Sequence, residues 1–393
     1  MASYKAFWYT DDGHLVHLGR HHLKELLKTY EPQLRAHGIV VEEPERDDDY
    51  YKRLAAVFLR PEGIPKELHE ALYYIKGLDS DNGLNRIAQA VKAGRLVIDM
   101  AEDSSTADKA LQAWLQDAEL VRNLHIEVGL DAGKSFTHFK PLRRTVPPMA
   151  DFRTAKGPFE KELAAVFKEH GRGAVCEIEV HCRNGESVFI VRHGAPYRRD
   201  TEYRNAAAAP LYYWPGVLDL IVYDPGAQTL RMNVQPSWLR KVYAQHFGRH
   251  FFGDAGLFAE GEVFTLQPLR ELGRRALEGA VYGIEEIALV ELQTVADEAL
   301  DDVRVRRSKD VFTSYEREKG LPADEELKQA SFRIRFEGAR SHRTVTVSGN
   351  RARYTQDHNG RRVTKWLRGS GFVIGENIEV GSLEEGEDAD GLV

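Results

Sequence analysis

A change of period divides this sequence. Up to residue 140 its apolar residues recur at helical spacing, and from 158 onward they mostly alternate as strands do. In the first stretch "RHHLKELLKTYEPQLRAHG" stops at Gly38, and "DDDYYKRLAAVFLR" follows acids suited to a helix N-terminus. "PKELHEALYYIKGL" starts beside Pro65, and "SDNGLNRIAQAVKAG" ends on Gly94. "SSTADKALQAWLQDAELVRNLHIEV" opens with a capping hydroxyl and spaces Leu111, Trp114, Leu115 and Leu120 as a helix does. Only the opening "AFWYTDDGHLVHL" reads otherwise, as a hairpin around Asp12-Gly13.

The segment "FKPLRRTVPPMADFRTAKGP" is rich in proline and basic residues and lacks periodicity, so 141–157 reads as a linker. Beyond it a helix, "PFEKELAAVFKEHG", precedes strands joined by tight turns. "AVCEIEVHC" pairs with "SVFIVRH" around Asn184-Gly185, and "VLDLIVYD" with "QTLRMNV" around Asp224-Pro225-Gly226. "SWLRKVYAQHF" reads as a helix whose pattern breaks at Gly248, "EEIALVELQTV" and "DVRVRR" as strands, and "ADEELKQ" as a short helix. "SFRIRFE" and "RTVTVSG" form a further hairpin before a terminal helix, "GRRVTKWLRGSGF". The pairs at 175–191 and 331–348 look alike and read as two ordinary hairpins rather than copies of one module.

The expected class is therefore α+β. A mostly helical N-terminal domain spans 1–140 and an α+β domain with antiparallel hairpins spans 158–375. The acidic tail over 376–393 is low in apolar residues and expected to be disordered. A chain of 393 residues exceeds what one core usually serves. No run approaches the ~18–20 apolar residues of a membrane span, and "MASYKAFWYTDDGH" lacks a secretory pattern. Cys176 and Cys182 stand six apart on one alternating strand, ~20 Å at ~3.3 Å per residue, beyond disulfide reach. Reduced thiols point to a cytoplasmic protein without a membrane partner. The ratio of 36 arginines to 18 lysines points to a bacterial source.

A net charge of −7 hides an asymmetry. Residues 303–375 carry 17 basic and 8 acidic side chains, whereas the last eighteen residues hold seven acids and no base. The basic part, 303–370, contributes Arg304, Arg306, Arg307, Lys309, Arg340, Arg343, Arg351, Arg353, Arg361, Arg362, Lys365 and Arg368. Alternation puts Arg304 and Arg306 on one strand face. Spacing of i, i+4, i+7 puts Arg361, Lys365 and Arg368 on one helix face, with Val363, Trp366 and Leu367 turned inward. Clustered guanidinium groups near Phe312 and Tyr315 suit phosphate contact and base stacking. The sequence thus points to a non-catalytic nucleic-acid-binding component of a bacterial multi-protein system, in genome maintenance or anti-phage defence. DNA rather than RNA is the expected ligand, with protein partners and no cofactor or metal. A structural subunit that meets only proteins is an alternative.

An enzymatic alternative centres on "SVFIVRHGAPYRRD". Arg192-His193-Gly194 at the end of an apolar strand resembles the motif of the histidine phosphatases. The resemblance implies a hydrolase in which His193 accepts a phosphoryl group beside Arg192, Arg198 and Arg199. Ala195-Pro196 depart from that motif, and the triplet lies between hairpins where the family alternates strands with helices. "GVLDLIVYDPGAQTLRMNVQ" is similar to the acid-bearing hairpin of PD-(D/E)xK nucleases, with Asp219 or Asp224 as the first acid. Its second strand offers Arg231, Met232 and Asn233 where an acid and a lysine belong. "VGLDAGKSF" separates Gly129 and Gly133 by three residues, one short of a phosphate loop. "HFGRH" sets His246 and His250 at i, i+4 without the glutamate of a metalloprotease, and His14, His17, His21 and His22 have no cysteine nearby. Both groups read as surface or packed histidines.

Overall fold

The computed structural model describes residues 12–374, except 42–47, 60–63, 102, 132–134, 144–148, 184, 205–206, 279–280, 282, 298, 301, 317–319 and 340. The chain divides into two compact units, residues 1–132 and 133–393.

The first unit is helical: α1 (Asp12–Leu15), α2 (Arg20–Lys28), α3 (Glu31–Ala36), α4 (Asp48–Phe58), α5 (Lys66–Leu78), α6 (Asp81–Lys92), α7 (Thr106–Gln116) and α8 (Ala118–Asp131). Serines set two of the starts. Ser80 Oγ accepts from the Gly83 amide at 3.1 Å, and Ser105 Oγ from that of Asp108 at 3.0 Å. Asp117 separates α7 from α8, and its carboxylate accepts from the Leu120 amide at 2.9 Å. The hairpin expected around Asp12-Gly13 falls partly on 1–11, outside the described residues. Its second half is a helical turn instead, because Leu15 and Leu18, three apart, are both buried. Leu23, Leu27, Leu54, Leu72, Ile75 and Leu111 build the core. Arg86 is buried there, 2.8 Å from Asp131 and 3.1 Å from Glu127, so its charge is compensated.

The second unit opens with β1 (Ser135–Pro141) and α9 (Phe152–Glu169). Then come β2 (Cys176–Arg183), β3 (Glu186–Gly194), β4 (Arg198–Arg204), β5 (Ala207–Tyr213), β6 (Gly216–Asp224), β7 (Thr229–Asn233), α10 (Ser237–Phe252), β8 (Phe258–Glu260) and α11 (Gln267–Glu271). The remainder comprises β9 (Ile284–Asp297), β10 (Asp302–Arg307), α12 (Val311–Glu316), β11 (Glu326–Phe336), β12 (Arg343–Ser348), β13 (Arg351–Arg353) and α13 (His358–Gly369). The α+β class is thus as expected, but three local readings change. Strand β1 belongs to this unit's sheet. Helix α9 begins inside the expected linker, where Asp151 accepts from the Arg153 amide at 2.9 Å. The short helix expected in "ADEELKQ" is the start of β11, drawn into the ladder opposite Val295 and Thr294.

Ten antiparallel strands follow one another in the order β10-β9-β11-β12-β13-β1-β7-β6-β3-β2, with β8 beside β1. Two meanders therefore meet at β1: β2-β3-β6-β7 on one side and β9-β11-β12-β13 on the other. The similar strand pairs of the sequence hold different places in them, first and second in one, second and third in the other. Cross-strand partners share a face, and this fixes where the cores lie. Thr137 is opposite both Met232 and Arg351, whereas Phe136 is opposite Ala352. Met232 belongs to a core with Phe159, Phe167, Phe189, Tyr243 and Phe247, so α9 and α10 pack on the Thr137 face. Ala352 belongs to a core with Phe312, Phe332, Val347 and Trp366, which lies on the opposite face.

Helix α10 runs through the expected break at Gly248. Any side chain there would collide with the Asp254 carbonyl, so this glycine permits a close approach while the helix continues to a left-handed Gly253 (φ 71°).

His138 of β1 is half-buried, edge-on to Phe264 at 5.0 Å. Burial, with Arg231 and Lys140 nearby, holds its pKa down to about 3. An unfolded chain takes up this proton near pH ~6.5. Between that value and about 3 the unfolded state binds the extra proton, so stability falls as pH falls through this window. The urea midpoint is expected to drop between pH 7 and pH 4, and His138→Asn should shrink the drop. An unchanged pH dependence in the variant would contradict this assignment.

Candidate nucleic-acid interface

The second meander places its helices on one side only. Leu269 of α11, Phe312 of α12 and Trp366 of α13 all enter the core on the Ala352 face. On the other face α9 and α10 pack against the first meander, and the core of the second meander holds no residue of either. Over the second meander that face is polar because β11, β12 and β13 alternate, and a bulge in the β9–β11 ladder lets Leu289 and Leu292, three apart, both enter the core while Glu291 stays outward. Register lines up Gln293, Gln329, Ser348 and Arg351 in one row. The next row holds Arg307, Glu291, Ser331, Thr346, Arg353 and Ser135, and Arg333 lies opposite Thr344 beyond it.

Charge on this face is unevenly compensated. Arg307 Nε is 2.5 Å from Glu291, which is held below the usual carboxylate range by hydrogen bonds from Arg307 and Gln293. Among the described residues, no carboxylate lies within ion-pair distance of Arg333, Arg351 or Arg353. Arg351 Nη2 reaches only the Thr137 hydroxyl, at 3.4 Å.

A groove of about 460 Å³ opens at the edge of the sheet between β12, β13 and α13, lined by residues of both faces, Phe336, Val345 and Val363 among them. Strand β13 is only three residues long, so β12 has a β13 neighbour over 346–348 and none over 343–345. Arg343, Thr344, Thr346, Arg353, Tyr354, Thr355 and Asn359 line the space left where the chain departs toward α13. The volume falls within the range of small-ligand sites, roughly 300–1,000 Å³.

The twelve basic residues expected to act together are divided. Arg307, Arg351 and Arg353 share the open face, whereas Arg361, Arg362, Lys365 and Arg368 ride on α13, which covers the opposite face. Several are already paired: Arg304 with Glu325, Arg343 with Asp357, and Arg368 with Asp224 at 3.5 Å. The Arg306 guanidinium lies 4.1 Å from the Tyr315 ring centre. Lys309 is exposed, and Arg340 lies outside the described residues. Arg333 was legible in "SFRIRFE", where it alternates with Phe332 and Ile334, and belongs with the set.

A separate feature was not legible at all. Strands β4 and β5 form a two-stranded ribbon apart from the main sheet. Exposed Tyr197 stacks on exposed Tyr212 at 6.0 Å and meets exposed Trp214 at 4.7 Å. Arg199 and Tyr203 project from the same ribbon and are exposed.

His193 sits in the interior. Its side chain has no exposure, stacks on Phe167 at 4.1 Å, and lies 2.9 Å from Asp219 through Nε2 and 2.8 Å from the Gly194 carbonyl through Nδ1. Tyr243 donates to the same Asp219 carboxylate at 2.9 Å, and burial followed by that carboxylate pushes its hydroxyl well above the usual tyrosine range. A phosphoryl acceptor needs an open ring nitrogen with arginines in reach. Both nitrogens here are engaged, and Arg192 points to the other face, bound to Glu179. Asp219 is thereby also removed as a metal-holding acid. Asp224 caps its own turn, accepting from Gly226 at 2.9 Å and Ala227 at 3.0 Å. Gly129 lies within α8, and Gly133 and Lys134 fall outside the described residues.

The sequence matches no protein-family model and no curated protein. Function therefore rests on the geometry alone.

The buried trio has a measurable signature. Asp219→Ala leaves His193 and Tyr243 without their shared acceptor and is expected to cost about 3–5 kcal/mol in urea denaturation, as breaking a buried pair does. A near-neutral effect would return His193 to the candidates for chemistry.

Proposed function

We propose that this chain binds nucleic acid, DNA by preference, as a non-catalytic component working with protein partners. The observation that carries the proposal is the uncovered sheet face on which Arg333, Arg351 and Arg353 stand without a carboxylate among the described residues. Guanidinium groups spaced along a rigid sheet make phosphate contacts and release condensed counterions. The amides of Gln293 and Gln329 and the hydroxyls of Ser348 and Thr346 add uncharged donors.

Labelled duplex and single-stranded oligonucleotides provide the test, by fluorescence anisotropy over a salt series. Each lost phosphate contact lowers the slope of log affinity against log salt by about 0.9 on duplex and about 0.7 on single strands. Arg351→Glu with Arg353→Glu is therefore expected to weaken binding and reduce the slope by about two contacts. Arg361→Glu with Lys365→Glu, on α13, should leave the slope nearly unchanged. Equal effects from both pairs, or from neither, would remove the open face as the interface.

The protein-partner reading has its own support in the β4–β5 ribbon. Exposed clustered aromatics are enriched in protein interfaces. Tyr203→Ser with Tyr212→Ser should abolish a co-purifying protein while leaving oligonucleotide affinity intact. Retention of the partner by that variant would count against the ribbon.

A further inference from the structure

We propose that Glu162, His246 and His250 form a binding site for a transition-metal dication of the zinc class. The three come from two helices packed on the first meander. His246 and His250 are four apart on α10, with ring planes within 11° of parallel and centres 6.3 Å apart. Glu162 projects from α9. A single carboxylate oxygen, Oε2, lies 2.7 Å from His246 Nδ1 and 3.0 Å from His250 Nε2. One ligand atom from each of the three residues lies within 4.8 Å of the others.

These distances are close to what a metal requires. Ligands ~2.0–2.1 Å from a tetrahedral zinc ion lie roughly 3.3 Å apart. The two oxygen–nitrogen separations need to widen by about 0.6 and about 0.3 Å, within reach of a glutamate rotation. The donor set of two imidazoles and one carboxylate suits zinc and its neighbours and does not suit magnesium or calcium.

His250 Nε2 is shielded from solvent, with the Glu162 carboxylate beside it at 3.0 Å. The ring is held in place, tilted against Phe159 at 5.8 Å, and His246 is likewise mostly covered. Arg249 Nη1 shares the carboxylate at 3.3 Å and is half exposed, free to swing toward solvent when a dication arrives. Three protein ligands leave a fourth position, and the exposure of Glu162 opens it to water. The continuous helix through Gly248 makes the arrangement possible, because a break there would rotate His250 away from His246.

The test uses the full chain stripped with chelator and titrated with Zn²⁺ against a chromogenic competitor. One ion per chain is expected. His246→Gln with His250→Gln should weaken binding by at least the roughly 100-fold that even outer-shell changes produce. Glu162→Gln, which keeps the side-chain shape, should weaken it too. The unaltered chain loaded with Co²⁺ should show the intense visible bands of a four-coordinate ion, which requires no variant to fold. Absence of stoichiometric zinc binding, six-coordinate Co²⁺ bands, or affinity retained in the histidine pair variant would each overturn the site. Oligonucleotide binding by the arginine-bearing face is read separately and does not depend on this result.

Discussion

Strand β1 is hydrogen-bonded along both edges, and the second unit depends on it. One edge takes β7, and the other takes β13 and then β8. Seven residues thus join two meanders that each have a core of their own. Because neighbouring side chains of a strand point to opposite faces, β1 must serve both cores at once. Phe139 turns toward the α9–α10 core, and Phe136 toward the face of Ala352. The result is a sheet clothed by helices on opposite faces in its two halves. The bare arginine-bearing face of the second meander follows from this geometry.

The basic region illustrates why composition alone misleads. Its formal excess counts every arginine equally, but Arg304 and Arg343 are committed to Glu325 and Asp357 of the same region, and Arg368 to Asp224 of the first meander. What remains available is decided by register. Arg351 and Arg353 project outward because Ala352 between them points inward, and Arg333 because Phe332 and Ile334 do. A one-residue slip of β13 would bury the charges and expose the core, so the hydrophobic pattern protects the polar face as firmly as it does the apolar one.

Much of the architecture was legible locally. The serine caps of α6 and α7, the tight turn joining β2 to β3, and the apolar side of α13 each carry their signal within a few residues. What was not legible depends on contacts distant in sequence. Strand β1 reads as the end of the helical domain because its partners lie roughly one hundred to two hundred residues further on. The start of β11 has helical propensity and becomes strand only because β9 is waiting beside it. Gly248 reads as a helix breaker until the Asp254 carbonyl is placed against it. His193 resembled a nucleophile until Phe167, Asp219 and Tyr243 closed around it. Of the candidate interface, Arg307, Arg351 and Arg353 were found from charge, but their separation from α13 by a sheet was invisible to a count.

The link from Arg351 back to Thr137 spans 214 positions of the chain. During synthesis the first meander can close on α9 and α10 long before β13 emerges. Until then residues 135–137 on the outer edge of β1, which β8 does not reach, are unpaired and open to any other extended segment, including the same edge of another nascent copy. The join that unites this molecule is therefore also its period of greatest exposure to misassembly, and the three residues of β13 are the part that ends it.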